Sequence, residues 1–174
     1  IIRSFTRPTV PVGEDLERIE SRYDGNDNLV SELEVFYDGA RPSRETTRSY
    51  DPFDRLLSVT DGFGETIGYS FDANGNRIRL TDPDGVVTRY AYDALNRTAT
   101  VTHDSRVTRY DYDRDSRLAS VTFPNSTDSS YEYALAGRTA EIHHTQNGGT
   151  VSRLEYAYDD NGNRSEQIET NGGA

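Results

Sequence analysis

Apolar and polar positions alternate with period two along most of the chain. After Glu65, Ile67, Tyr69 and Phe71 fall on one side of an extended segment and Thr66, Gly68 and Ser70 on the other. That alternation is the pattern of a strand with one covered face. Asp72-Ala73-Asn74-Gly75-Asn76 then breaks it. Asp and Asn side chains accept hydrogen bonds from the backbone two residues on, and Gly tolerates positive φ, so a turn is predicted. Residues 77–81 return as a strand with Ile78 and Leu80 aligned, Asp82-Pro83-Asp84-Gly85 turns again, and residues 86–93 extend with Val86, Thr88, Tyr90 and Tyr92 in register. Pro suits the second position of such a turn. No segment carries an apolar stripe at i, i+3, i+4, i+7, and a turn signal interrupts the chain about every eight to twelve residues. The pattern predicts an all-β protein of antiparallel β-hairpin repeats, with about a dozen short strands. Residues 18–174 form the repeat region. Residues 1–17, with Pro8, Pro11 and the acidic Glu14, Asp15 and Glu17, read as an irregular lead-in.

The hairpin is a repeat. An aromatic–Asp motif returns at Tyr50-Asp51, Phe71-Asp72, Tyr92-Asp93, Tyr112-Asp113, Tyr133-Ala134 and Tyr158-Asp159, in steps of 21, 21, 20, 21 and 25 residues. Five or six places after each aromatic stands an arginine: Arg55, Arg77, Arg97, Arg117, Arg138 and Arg164. Earlier copies stand at Tyr23-Asp24 and Tyr37-Asp38. A fixed period of this length marks a repeat architecture, which builds a surface or wall rather than one pocket. Tyr90/Tyr92, Tyr110/Tyr112, Tyr131/Tyr133 and Tyr156/Tyr158 each share a strand face, with Tyr69/Phe71 as a variant. Stacked repeats would set these rings in two ladders, with cross-strand aromatic pairs contributing roughly 0.2–1 kcal/mol each.

Composition sharpens this picture. Only 33% of the 174 residues are hydrophobic, and Met, Trp and Cys are absent, while Tyr is present 12 times. Tyr fits a half-buried sheet because its ring packs while its hydroxyl stays wet. The mean hydropathy of −0.83 leans toward disorder, but regularly placed aromatic and β-branched residues argue for order. A net charge of −11 makes nucleic acid an unsuitable partner. Having no cysteine removes disulfides and thiolate metal sites. No apolar run is long enough for a membrane-spanning helix, and no signal peptide is visible. The first residues are Ile1-Ile2 rather than Met, which suggests a piece or processed product of a longer chain.

The segments Tyr69-Ser-Phe71-Asp72-Ala-Asn-Gly-Asn-Arg77, Tyr90-Ala-Tyr92-Asp93-Ala-Leu-Asn-Arg97 and Tyr110-Asp-Tyr112-Asp113-Arg-Asp-Ser-Arg117-Leu118 resemble the YD repeat of Rhs proteins. The same repeat occurs in shell-forming components of insecticidal toxin complexes and in teneurins. The resemblance covers about residues 18–170. It implies a sheet that spirals into a hollow shell, which encloses a toxic domain in bacterial members and serves adhesion in animal ones. A closed shell takes many more repeats, so the chain resembles a segment of one, or a short relative. The sequence departs from the pattern where Ala134 replaces Asp, and where Gln146-Asn147-Gly148-Gly149 reads as a looser hairpin tip. Such shells are closed by an aspartate-dependent self-cleaving motif. Asp51-Pro52 and Asp82-Pro83 sit in ordinary repeat turns, and that role is not carried onto them.

Candidate chemistries yield to simpler readings. Asp24-x-Asn26-x-Asn28, Asp72-x-Asn74-x-Asn76 and Asp159-x-Asn161-x-Asn163 begin like calcium loops but lack the sixth-position Gly and the distal Glu. Turn formation accounts for them. A catalytic Asp or Arg need occur only once. Recurring ones read as a turn cap and as an Arg that pairs across the hairpin or stacks on a neighbouring Tyr. His143 and His144 face opposite sides of a strand, and His103 has no predicted partner. There is no Gly-x-Ser-x-Gly elbow and no phosphate loop.

The sequence therefore predicts no catalytic, cofactor-binding or metal site and a non-enzymatic structural protein, secreted or at a cell surface. Its partners are its own flanking repeats, or identical chains through open sheet edges, and an enclosed toxin domain. The alternatives are a glycan- or cell-surface-binding module using the tyrosine face, and a self-assembling fibre.

Overall fold

The computed structural model describes residues 2–5, 16–36 and 42–172. The fold is all-β and divides into two units, residues 1–87 and 88–174, each with antiparallel pairing. In the first unit lie β1 (Ile2–Phe5), β2 (Leu16–Tyr23), β3 (Leu29–Phe36), β4 (Arg44–Tyr50), β5 (Leu56–Thr60), β6 (Thr66–Phe71) and β7 (Arg77–Thr81). Then follow β8 (Val87–Tyr92), β9 (Thr98–His103), β10 (Arg106–Tyr112), β11 (Leu118–Thr122), β12 (Thr127–Tyr133), β13 (Thr139–Gln146), β14 (Gly149–Tyr158) and β15 (Arg164–Asn171). Within each unit, strands are neighbours in chain order. The lead-in predicted as irregular contains β1, paired with β2 through Ile2↔Arg22; its Pro8, Pro11, Glu14 and Asp15 lie outside the described residues, as does Tyr37-Asp38.

The predicted faces match the register. In the first unit Val59 pairs with Ile67 and Tyr69 with Leu80 on one face, while Ser58 pairs with Gly68 and Ser70 with Arg79 on the other. In the second unit Tyr110, Val121, Ser129 and His144 stand directly opposite one another across β10 to β13. The aromatic ladders need correcting. Each repeat contributes two strands, so an aliphatic strand separates the tyrosine strands. Tyr90 faces Val101, Tyr110 faces Val121 and Tyr131 faces Ile142. Aromatic–β-branched pairs take the place of ring–ring pairs. The sheet is thin: the buried apolar residues, among those described, are Phe36 and Val121, at 7% and 4% exposure.

Two kinds of turn join the strands. At Asp72 the N–H donates to Asn76 O (2.9 Å), and the N–H of Gly75, at φ 87°, donates to Asp72 O (3.2 Å). The register shifts at Ser70/Phe71 beside it. This is a type I turn closed by a left-handed residue in a bulge. Asp51, Asp93 and Asp113 repeat it with Asp54, Asn96 and Ser116 in the left-handed place. The tip expected to be loose is instead tight. Gln146 pairs with Gly149 across Asn147 (φ 50°) and Gly148 (φ 81°), a two-residue turn in which both central residues need positive φ. The extra length of that repeat lies in β13 and β14, of 8 and 10 residues.

Candidate functional site

The repeated Asp and Arg meet at the hairpin tips. Asp93 Oδ1 accepts the N–H groups of Leu95 (2.9 Å) and Arg97 (3.0 Å), and its Oδ2 accepts Arg97 Nε (2.7 Å). Asp51 with Arg55 and Asp113 with Arg117 repeat this, with Nε to Oδ2 at 2.6 and 2.7 Å. One carboxylate thus satisfies two turn N–H groups and orients a guanidinium, as charge-assisted hydrogen bonds do best.

The oriented guanidinium reaches into the next repeat. Arg55 lies over Phe71 (5.0 Å to the ring centre), Arg97 over Tyr112 (4.3 Å), Arg117 over Tyr133 (4.5 Å) and Arg138 over Tyr158 (5.1 Å). Arg55 Nη1 also donates to Asp72 O (2.9 Å). The tyrosines reach back. Tyr112 OH donates to Thr98 O (2.9 Å), Tyr133 OH to Leu118 O (2.8 Å), and Tyr158 OH to Thr139 O (2.7 Å). Each of these carbonyls belongs to the residue just after the arginine that covers the ring. Tyr50 OH likewise donates to Leu29 O (3.1 Å). The site is therefore a recurrent interlock: Asp orients Arg, Arg covers the next ring, and the ring hydroxyl returns to the strand behind. Arg55, Arg97 and Arg117 each pair with the turn aspartate and stack on a ring of the next repeat at once.

The six-residue spacings have a cause. Four places after Asp24, Asp72 and Asp159 stands an asparagine where the other turns have arginine. Asn28, Asn76 and Asn163 donate Nδ2 to the carboxylate at 3.0, 3.0 and 3.2 Å. The arginine shifts one place on and turns to its own repeat, with Arg77 over Tyr69 (5.9 Å) and Arg164 over Tyr156 (5.5 Å). In these Asp-x-Asn-x-Asn segments the Asp oxygens accept turn N–H groups, as at Asp72 from Asn74 and Asn76 (both 2.9 Å). Asn26 and Asn28 also donate to Asp54 Oδ1 (2.9 and 2.7 Å), tying two tips together.

At Ala134 the turn lacks its carboxylate. Leu135–Gly137 is a short 3₁₀ turn with Ala136 at φ 64°, yet the two usual bonds remain, Ala134 N–H to Arg138 O (2.7 Å) and Gly137 N–H to Ala134 O (3.2 Å). Histidines pair with hydroxyls: His103 Nδ1 with Thr88 Oγ1 (2.9 Å), which supplies the partner the sequence did not predict, because β8 sets the two residues opposite each other. His143 Nε2 meets Thr150 Oγ1 (3.0 Å) and His144 Nδ1 meets Ser129 Oγ (2.7 Å). Ser129 is only 3% exposed. A shallow depression of about 460 Å³ is lined by Arg106, Thr108, Phe123, Pro124 and Asn125, with no carboxylate or imidazole.

The carboxyls of Asp24, Asp51, Asp72, Asp93, Asp113 and Asp159 are held below the ordinary value of 3.8. At Asp24, Asp72 and Asp159 the main cause is the Asn side chain four places on. At Asp93 it is the N–H of Arg97. At Asp51 and Asp113 burial pushes upward most strongly, but the backbone N–H and guanidinium of Arg55 and Arg117 together outweigh it. A carboxylate with a depressed folded pKa contributes stability above its unfolded pKa and loses it as pH falls through the folded one. The thermal midpoint is expected to stay nearly level from neutral pH to about pH 5 and then fall steeply below pH 4. Circular dichroism melts at pH 7, 5, 4 and 3 check this, and a midpoint unchanged at pH 3 would count against it.

The model of the RHS Repeat family matches residues 23–66 and 71–105. Among solved structures, the fold is similar to the crystal structure of TcdB2-TccC3-Cdc42, with TM-score 0.68 and 15% identity over 82% of this chain and 9% of that one. It is also similar to the Photorhabdus luminescens Tc holotoxin pore carrying a TccC3 point mutant, with TM-score 0.62 and 15% identity over 90% of this chain and 10% of that one. The crystal structure of TcdB2-TccC3 matches with TM-score 0.64 and 18% identity over 83% of this chain and 9% of that one. The chain thus spans about a tenth of the length of these proteins. No curated protein matches it in sequence.

Proposed function

We propose that this chain, a YD-repeat protein carrying RHS repeats, is a non-enzymatic wall segment of a β-shell that encloses a toxin domain or is displayed at a surface. The observation that carries the reading is the interlock. Arg97 covers Tyr112 and Tyr112 OH returns to Thr98 O; Arg117, Tyr133 and Leu118 repeat the arrangement. A device of this kind propagates from hairpin to hairpin, so it suits a wall of any length, and it offers no reactive group that is unique. The wall would be secreted, with flanking repeats or further copies as neighbours. Among the described residues no helix is long and apolar enough to cross a membrane.

Cryo-electron microscopy of the native gene product tests this. The expected result is a hollow particle with these hairpins in its wall. A particle with no lumen would overturn it.

A second reading, a fibre of identical chains, is favoured by β15. All eight of its residues are exposed, and an exposed strand can pair with a strand of another chain. Light scattering on a size-exclusion column separates the two. A concentration-dependent series of multiples of 19.6 kDa supports the fibre, and one discrete species supports the wall.

A further inference from the structure

The turn at Ala134 holds all of the interlock except its anion. Arg138 lies over Tyr158 at 5.1 Å, as the arginines of complete turns lie over their rings at 4.3–5.0 Å. Tyr158 OH returns to Thr139 O at 2.7 Å, again as in complete turns. The guanidinium is therefore carried to its usual place. There, Arg55, Arg97 and Arg117 meet an aspartate oxygen at 2.6–2.7 Å. At Ala134 the position of that aspartate holds a methyl group, and Arg138 has no carboxylate partner among the described residues.

Two further observations show that the charge is not satisfied in another way. Arg138 Nη1 is shielded from solvent and has no acceptor. It lies against Gly162, where an added Cβ would come within 2.5 Å of that nitrogen. That nitrogen is thus confined, and a shielded donor left without an acceptor is costly. The tip itself is open, since Leu135 is 94% exposed.

We propose that the Ala134 tip is a receptor for a carboxylate supplied from outside the turn, which takes the place of the absent aspartate against Arg138. The source is either a small free carboxylate or the acidic side chain of another polypeptide. The inference does not depend on what the sheet encloses.

Sodium formate, titrated against sodium chloride at matched ionic strength, tests the proposal in the 15N-labelled chain through the arginine Nε–H resonances. The expected result is a saturating downfield shift at Arg138, with Arg97 and Arg117, already paired, unmoved. Ala134→Asp supplies the carboxylate within the chain and is expected to move Arg138 Nε–H downfield and abolish the response. Should that variant not fold, the wild-type titration decides alone, because Arg97 and Arg117 are internal references. A second titration uses acetyl-Gly-Asp-Gly-amide. Saturation at lower concentration than formate assigns the site to a polypeptide side chain, and saturation by formate alone assigns it to a small anion. Equal, unsaturating drift at all three arginines, or a response that persists in folded Ala134→Asp, would overturn the proposal.

Discussion

Val121→Asp is expected to destabilise the second unit by a large part of its stability. Val121 is the least exposed apolar side chain described, at 4%, and stands between Tyr110 and the buried Ser129 in register. None of its register neighbours is a cation. A carboxylate placed there must either stay charged without a partner or take up a proton, and an uncompensated buried charge costs about 3–5 kcal/mol. Small domains are stable by only about 5–15 kcal/mol, and this sheet is thin. Val121→Thr keeps the shape and adds one hydroxyl, so it should cost about 1–3 kcal/mol. Urea unfolding followed by circular dichroism checks the pair. A Val121→Asp midpoint within experimental error of wild type would show that the Tyr110–Val121–Ser129 row is not the core of its unit.

The second large effect belongs to the interlock. Tyr133→Ala removes the ring under Arg117 and the hydroxyl bound to Leu118 O. Large-to-small changes at aromatic positions cost about 3–5 kcal/mol in full cores, so about 2–4 kcal/mol is expected at this half-buried site. Tyr133→Phe removes only the hydroxyl bond and should cost about 0.5–1.5 kcal/mol. Stability in a repeat array is roughly a sum of local and nearest-neighbour contributions. The loss should therefore appear first as faster hydrogen exchange in β11 to β13, ahead of β8 and β9. Equal losses for the two variants would mean that the ring and its arginine contribute little.

The parts of this fold written in short-range chemistry were legible in the sequence. Alternation placed Ile67, Tyr69 and Leu80 on one face, and the register agrees. The Asp-led turns were legible because Asp72 acts on N–H groups two and four residues away. The addresses between repeats were hidden. Tyr112 and Thr98 are 14 residues apart, and Tyr158 and Thr139 are 19 apart, so nothing local marks the carbonyl as the tyrosine's partner. The asparagines after Asp24, Asp72 and Asp159 were a signal that was missed. The six-residue spacing of Arg77 and Arg164 showed that another residue had taken the fourth place. The tip at Asn147-Gly148 misled because four polar and small residues look loose, although two consecutive left-handed residues make a two-residue hairpin, as Asp104-Ser105 also does.

The interlock has a direction, because Arg97 needs a tyrosine that is made after it and Tyr112 needs a carbonyl that is made before it. A ribosome delivers these parts in that order. While the chain is being synthesised, the newest aspartate can set its arginine at once, but the arginine stays uncovered until about fifteen more residues have emerged. Growth would therefore proceed as a ratchet at Arg55, Arg97, Arg117 and Arg138, whose hairpins are each closed by a successor, whereas Arg77 and Arg164 find their rings already made. A pause in translation of this protein would leave a single poised guanidinium at the growing end.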